Sequence, residues 1–226
     1  MTGIVKTDQI QGAQGTTVTV PTGHTLAVTS NATVGGTLGV TGNATAAGTL
    51  GVTGNTTVGG TLVNTGLITA SAGVAIGGTG SANTLDDYEE GTWTPSITAY
   101  TGTQPTVTHS GGETPSGFYN KVGRLVAVTF VVPNFAVSGT TSGIMNISGL
   151  PFANSQSSWN GGDLSHYNVT FARGSTGNMS LRTFGTTSMG ILSTNNGGTW
   201  GWELVSIFSG GSTRYISGSL TYQADA

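Results

Sequence analysis

The densest group of chemically active side chains is a short acidic run. Four of the nine acidic residues lie within five positions: Asp86, Asp87, Glu89 and Glu90. Carboxylates this close together can act as general acid and base, or as oxygen ligands of a cation. They can also form a solvated collar that is neutralised by Lys121 or Arg124. Of these three interpretations we expect the structural collar, with no catalytic role and no bound metal.

Motifs for nucleophilic or metal-assisted catalysis are absent from the sequence. It contains no G-x-S-x-G, no H-E-x-x-H and no phosphate-binding P-loop. His24, His109 and His166 are widely spaced, and the chain has no cysteine to supply a thiolate or a disulfide. We therefore expect a protein that has no enzymatic activity and needs no cofactor.

Aromatic side chains among amides and hydroxyls form the best candidate for ligand binding. Sugar rings stack on exposed aromatic faces, while neighbouring polar groups bond their hydroxyls. The candidate glycan-contacting residues are Trp159, Asn160, Asp163, His166, Tyr167, Asn196 and Trp200. Trp200 and Trp202 have a competing interpretation, because alternation along a strand turns one face towards the core.

Composition separates two regions of the chain. It has 39 Gly and only 7% charged residues, and its 35% apolar content is below the roughly 45–50% of globular domains. No charged residue lies between Asp8 and Asp86, and every Trp, Tyr and Phe follows residue 84. We place a domain boundary there. A net charge of −3 without a basic tract argues against nucleic acid as a partner. No segment predicts a secretory signal or a membrane span.

A 12-residue repeat dominates the predicted shaft, residues 26–84. Its four units begin at Leu26, Leu38, Leu50 and Leu62 and read LAVTSNATVGGT, LGVTGNATAAGT, LGVTGNTTVGGT and LVNTGLITASAG. Leu and Val alternate with small residues, which indicates a strand with one apolar face. This apolar stripe consists of Leu26, Val28, Leu38, Val40, Leu50, Val52 and Leu62. Each unit is predicted to hold two short strands and two turns.

The stripe is too small for one chain to fold around it, so we predict a shaft of three intertwined chains. A single-chain β-solenoid is the alternative, although its rungs normally need more residues than this repeat supplies. A flexible Gly/Thr linker would explain the composition but not the recurring Leu-x-Val. The missing charge fits a threefold axis, where an inward charge would meet two like charges.

Residues 85–226 are predicted to form an all-β head of the β-sandwich or jelly-roll type. Short alternating runs are separated there by Gly, Asn, Ser and Pro. The predicted strands are Thr92–Ala99, Thr106–Ser110, Gly117–Lys121, Leu125–Val132, Gly143–Ser148, Tyr167–Ala172, Met179–Phe184, Gly190–Ser193, Trp202–Phe208 and Arg214–Tyr222. The run LVAVTFVV, residues 125–132, is predicted to be a central strand. No run predicts a helix.

Three segments of the head resemble one family of proteins. Residues 85–95, LDDYEEGTWTP, are similar to the L-x-D-Y-E-E-G-T-W-T-P motif of phage tail-fibre and tail-spike-like proteins. Residues 117–126, GFYNKVGRLV, and residues 214–222, RYISGSLTY, resemble two further segments of that family, whereas residues 134–201 match nothing in it. The start of the chain, residues 4–11, resembles that of marine and cyanobacterial phage structural proteins.

The resemblance implies a homotrimeric tail fibre that is made in the host cytoplasm and carried on the virion. Its N-terminal segment, residues 1–25 with Ile4, Val5 and Ile10, would attach it to tail or baseplate proteins. The shaft–head junction would be formed by Asp86, Asp87, Tyr88, Glu89, Glu90 and Trp93. The head would bind a host-surface glycan or protein, without nucleic acid and without membrane insertion.

Two other functions stay open on the sequence. The first is a capsid-attached head fibre or cement protein that binds no receptor. The second is a tail-spike that degrades polysaccharide, although such enzymes normally need a larger β-helix domain than this chain can supply.

Overall fold

A computed structural model describes residues 19–139, 142–155, 160–171, 178–194, 198–208 and 213–225. The chain divides into two units, residues 1–63 and 64–226. The predicted attachment residues Ile4, Val5 and Ile10 lie outside the described residues, as do the glycan candidates Trp159 and Asn196.

The described part of the repeat is an open chain whose backbone bends at regular intervals. Bends fall at residues 29–30, 35–36, 41–42, 47–48, 53–54 and 59–60, six residues apart. Each 12-residue unit therefore contains two similar halves. The strands predicted for the repeat do not form between residues 19 and 73. A strand needs a hydrogen-bonding neighbour, and the repeat of a single chain provides none.

The second unit is built from short strands and two 3-10 helices. In chain order the strands are β1 Val74–Ala75, β2 Thr84–Leu85, β3 Tyr88–Trp93, β4 Ser96–Ala99, β5 Thr106–His109, β6 Ser116–Val122, β7 Leu125–Ser138, β8 Met145–Ser148, β9 Gly161–Tyr167, β10 Met179–Thr183, β11 Ser188–Thr194, β12 Trp200–Trp202 and β13 Arg214–Gln223. The 3-10 helices span Ser81–Asn83 and Val205–Phe208. Within the described ranges, no helix is long and apolar enough to cross a membrane.

All strands of the head except β1 and β2 belong to one antiparallel sheet. Its order is β3-β6-β7-β13-β9-β10-β11-β8-β4, with β5 beside β7 and β12 beside β11. The two ends of this order, β3 and β4, are separated along the chain by only Thr94 and Pro95. The sheet must therefore curl until its edge strands approach each other. Pro95 suits this corner, since it has no N–H to donate to a ladder.

The pairing between neighbouring strands of this sheet is shortest between β9 and β10. Only two residue pairs join them, Leu181 with Gly162 and Arg182 with Gly161. A Cβ on Gly162 would run into the carbonyl of Ser219 on β13, so only glycine allows this close approach. The all-β prediction is confirmed. Instead of the predicted sandwich, the head has one continuous sheet that curls. Its two halves, β3-β6-β7-β13-β9 and β10-β11-β8-β4, stay hydrogen-bonded to each other at this glycine corner.

Both halves of the sheet turn apolar side chains towards one core. Along β7, buried and exposed residues alternate: Val126 and Val128 are buried, whereas Ala127 and Thr129 are exposed. The other contributors include Phe130, Phe135, Ile216, Leu220 and Tyr222 from the first half, and Ile97, Met145, Ile147, Leu181, Met189 and Ile191 from the second.

Three of the predicted strands differ from the structure by more than their end residues. The run Thr92–Ala99 is divided into β3 and β4 at the Pro95 corner. The predicted strand Tyr167–Ala172 does not form over residues 168–171, and β9, which was not predicted, ends at Tyr167, where that prediction begins. The predicted strand Trp202–Phe208 is the end of β12 followed by a 3-10 turn, whose Val205 and Phe208 are buried in the core.

Candidate functional site

The apolar stripe of the repeat is fully accessible in the single chain. Every residue from 19 to 72 is exposed, and Leu50 and Val40 expose 77% and 51% of their surface. Val34 and Val58 occupy the second half of their units at the place that Val28 takes in the first half. The apolar side chains therefore follow one another along the repeat at six-residue intervals, and all of them stay exposed in the single chain.

The motif at the start of the head, residues 85–95, includes β3, which packs against β6. Gly91 pairs with Tyr119, and Trp93 pairs with Gly117, so an aromatic ring faces a glycine in both pairs. A Cβ on Gly91 would lie 2.8 Å from the Tyr119 hydroxyl, and one on Gly117 would overlap the Trp93 indole. The Trp93 Nε1–H donates to the carbonyl of Thr129 at 3.2 Å. Residues 85–95 and 117–126 therefore fit each other, since each segment places a glycine opposite an aromatic ring of the other.

The acidic run is bonded to neighbours on the same two strands. Asp87 forms an ion pair with the Lys121 ammonium, which is largely buried. Arg124, the other predicted partner, instead donates its Nε–H to the carbonyl of Ala224 at 3.0 Å. Within the described ranges, no group of three or more His, Cys, Asp or Glu side chains could hold a metal ion.

Two tyrosines of this region donate to two further carboxylates of the run, Glu90 and Glu89. The Tyr88 hydroxyl donates to Glu90 Oε2 at 2.7 Å, and the Tyr119 hydroxyl donates to Glu89 Oε1 at 2.5 Å. These hydrogen bonds to carboxylates raise the pKa of both phenols. Three of the four carboxylates of the run are thus bonded to side chains of β3 and β6. The structural collar stays a prediction.

The glycan candidates on β9 lie on two different faces of the strand. Asp163 and Tyr167 share one face, and His166 lies on the other, where its ring contacts Phe171 at 4.8 Å. The exposed ring of Tyr167 contacts that of Tyr215 on β13 at 6.2 Å. The candidates are therefore not gathered around one centre.

Tyr215 is anchored by a carboxylate from a distant loop. Its hydroxyl donates to Glu113 Oε2 at 3.0 Å, and this bond raises the pKa of the phenol. The Tyr167–Tyr215 pair is thus an exposed aromatic platform with one carboxylate beside it.

The remaining glycan candidates occupy other places. Asn160 precedes β9, and its side-chain amide donates to Asn154 Oδ1 at 3.5 Å. Trp200 lies on β12, which β10 and β11 separate from β9. Trp200 is 50% exposed and stands two residues before Trp202 on the same face of the strand.

Sequence reasoning missed two aromatic residues that the fold brings to Trp202. Tyr100 follows β4 and Phe184 follows β10, yet their rings meet at 4.3 Å, and the Phe184 ring lies 4.6 Å from that of Trp202. No local sequence pattern predicts this cluster, because its three members come from the ends of three different strands.

No protein-family model matches the chain, and no curated protein matches its sequence. Among solved structures it is similar to the crystal structure of the Dettilon tailspike protein (gp208), with a TM-score of 0.41 and 18% identity. The match covers 59% of this chain and 23% of the tailspike chain. The chain thus spans less than a quarter of that protein's length, and the tailspike as a whole is no template for it.

Proposed function

We propose that this protein is a structural fibre of a bacteriophage virion, that it acts as a homotrimer and that it is not an enzyme. In this proposal residues 1–25 attach the fibre to tail or baseplate proteins. Residues 85–226 form a head that contacts a glycan on the host surface. The similarity of residues 85–95 to the phage tail-fibre motif supports the class of protein.

The observation that carries the proposal is the exposed stripe of the repeat. Leu26, Leu38, Leu50 and Leu62 recur every 12 residues and are between 71% and 77% exposed in the single chain. Burying one leucine stabilises a fold by about 1.5–3 kcal/mol. Copies aligned in register bring identical stripes to the same level, and no charged residue between Asp8 and Asp86 opposes their approach. A shared shaft is therefore the arrangement in which this sequence buries its apolar residues.

Light scattering on the full chain tests the oligomeric state. The expected mass is about three times that of the 22.6 kDa chain, and a mass of one chain would overturn the proposal. The double variant Leu38→Ser, Leu50→Ser is expected to lower the mass. Val63→Ser is a matched control, since Val63 stands at a position that Gly39 and Gly51 occupy in earlier units, off the stripe.

The place of the fibre on the particle is tested separately. Gold-labelled antibodies against the head are expected to decorate the tail, and label confined to the capsid would overturn tail attachment. Removal of residues 2–20 is expected to give trimers that fail to enter particles. Polysaccharide from the host is expected to keep its length after incubation with the protein, and shortened polymer would contradict the non-enzymatic role.

A further inference from the structure

The outer face of the β10-β11-β8-β4 half carries a row of aromatic side chains. We call Tyr100, Phe184, Trp202 and Trp200 the aromatic ridge. Ring centroids are 4.3 Å apart for Tyr100 and Phe184, and 4.6 Å apart for Phe184 and Trp202. Trp202 pairs with Leu192 and Trp200 with Thr194, so both side chains point to the same side of β11. Tyr100 and Trp200 remain about half exposed.

This side of β11 is the side away from the core. Met189 and Ile191 face the core, and Gly190 between them faces out. A Cβ on Gly190 would lie 2.9 Å from the Trp202 ring, which shows that the indole lies flat over the bare backbone. The ridge is therefore built onto the outside of the sheet and is not part of the core.

A buried amide lies beside the ridge with an unused acceptor. Asn146 pairs with Gly190 on one side and with Thr98 on the other, and only 6% of its surface is exposed. Its amide donates to Thr98 Oγ1 at 3.5 Å, while its Oδ1 has no hydrogen-bond partner among the described residues. A buried acceptor without a partner is costly and calls for a reason. It adds a polar group to the face of the sheet that carries the ridge.

A pocket of about 540 Å³ adjoins the ridge at Phe184. Its other walls are polar, with Asn154, Ser155, Thr183, Thr186 and Asp225. Aromatic faces thus stand next to amide, hydroxyl and carboxylate groups. This combination matches the chemistry of a sugar, whose ring has apolar C–H faces and a rim of hydroxyls.

We propose that the aromatic ridge and the adjoining pocket form a carbohydrate-binding site. A pyranose unit stacks on Tyr100 or Trp200, and its neighbour in the polymer places hydroxyls in the pocket near Asn154 and Asp225. The proposal rests on the proposed function for the source of the ligand, a bacterial surface polysaccharide. Of the candidates predicted from the sequence it keeps Trp200, and it replaces those on β9 by residues of the opposite half of the sheet.

The test uses the full-length protein and an immobilised array of bacterial capsular and O-antigen polysaccharides. Wild-type protein is expected to bind at least one polymer, and Tyr100→Ala and Trp200→Ala are each expected to weaken binding at least about fivefold. Asp225→Asn weakens it too, through the hydroxyl contact. Phe118→Ala is the matched control, because it removes an equally exposed ring on the other half of the sheet and should leave binding unchanged.

Three results would overturn the site. The first is an array on which no polysaccharide binds. The second is binding that survives both ridge substitutions, and the third is binding that only Tyr167→Ala abolishes. Circular dichroism melting of each variant separates lost contact from lost folding. The trimer mass and the incorporation into particles are read on the same variants. A fibre that assembles without binding sugar overturns the site and the glycan contact of the head but leaves the fibre role intact. A sugar-binding protein that is absent from particles overturns the fibre role alone.

Discussion

The repeat and the head use the same alternation of apolar and small residues, with opposite results. In the head, Val126 and Val128 are buried while Ala127 between them is exposed. In the repeat, Leu38 and Val40 alternate with Gly39 in the same way, yet all three are exposed. Alternation creates an apolar face, but only a second layer can cover it. The head supplies that layer from its own chain, and in our proposal the repeat obtains it from other copies.

The two regions also differ in the size of the side chains that they use. Every Trp, Tyr and Phe of the sequence lies beyond residue 84, where the curled sheet encloses a wide core. The repeat has nothing larger than Leu and Ile between residues 26 and 84. A narrow axis shared by several chains suits such small side chains, since it leaves no room for rings.

The largest expected effect is the loss of a core ring of the head. Phe135 is completely buried, and its ring meets that of Phe208 edge to face at 5.1 Å. Phe135→Ala is expected to lower the free energy of unfolding by about 3–5 kcal/mol per chain, as measured by urea denaturation. Phe118→Ala is the control, expected to change it by less than about 0.5 kcal/mol. Equal losses in both variants would mean that the outer face is covered too.

A repeat leucine tests the other side of the comparison. Leu50→Ala is expected to cost about 1.5–3 kcal/mol per chain in the assembled protein, because the side chain is buried there against other copies. The cost should grow with protein concentration in the melting experiment, since dissociation and unfolding are coupled. A variant as stable as the wild type at every concentration would show that the stripe stays exposed.

Much of the head could be predicted from the sequence, since alternation and turn residues mark strands locally. β5, β7 and β10 begin where the pattern predicted them. β9 was not predicted, because its first residues, Gly161 and Gly162, are typical of a turn. The structure needs these glycines inside the strand, where β9 passes close to the backbone of β13. A close approach between distant segments leaves no local signal other than the glycine itself.

The candidate site was harder to predict than the fold. Trp200 could be singled out as an exposed aromatic, since its surroundings are rich in Asn, Gly and Thr. Its relation to Tyr100 and Phe184 depends on how β4, β10 and β12 are ordered in the sheet, which no spacing within the sequence reveals. Exposure could not be predicted for Trp202 either, because alternation fixes two faces without saying which one is covered.

Glycine substitutions sharpen the contrast between the regions. Gly117→Ala is expected to destabilise the head by about 1–3 kcal/mol, since the new Cβ would overlap the Trp93 indole. Gly51→Ala is expected to stabilise the protein by about 0.4–1 kcal/mol through the unfolded state. Equivalent positions of the repeat already carry Ala27 and Val63, so in the proposed shaft this position is expected to point away from the axis. A destabilised Gly51→Ala protein would instead place it in the chain–chain contact.

The ion pair between Asp87 and Lys121 is expected to contribute less to the stability of the head than the Gly117–Trp93 contact does. Lys121 is largely buried beneath the Phe152 ring, whose centroid lies 5.3 Å from the ammonium, and Asp87 is half exposed. Asp87→Asn leaves this ammonium without its counter-ion and is expected to cost about 1 kcal/mol, an amount that solvent screening of Asp87 limits. Lys121→Met is the control and should cost less, because the carboxylate that it leaves behind, Asp87, is half exposed and is solvated by water. Thermal melting at low and high salt measures both.

The smallest effect is expected at alkaline pH, and only in the head. Burial raises the pKa of Tyr222 to about 12, whereas the phenol of an unfolded chain titrates near 10. The folded protein therefore keeps its proton at a pH where the unfolded chain has lost it. The stabilisation from Tyr222 is complete below about pH 10 and is lost as the pH rises towards 12. Melting temperatures between pH 8 and 11 should fall for the wild type. They should fall less for Tyr222→Phe, which has no proton to lose although it gives up the hydrogen bond to the Phe152 carbonyl.

The repeat has no Tyr, so its stability is not expected to change with pH in this range. Dissociation of the trimer is accordingly expected to be the same at pH 8 and pH 11, and a mass that drops with pH before the head unfolds would contradict the separation of the two regions.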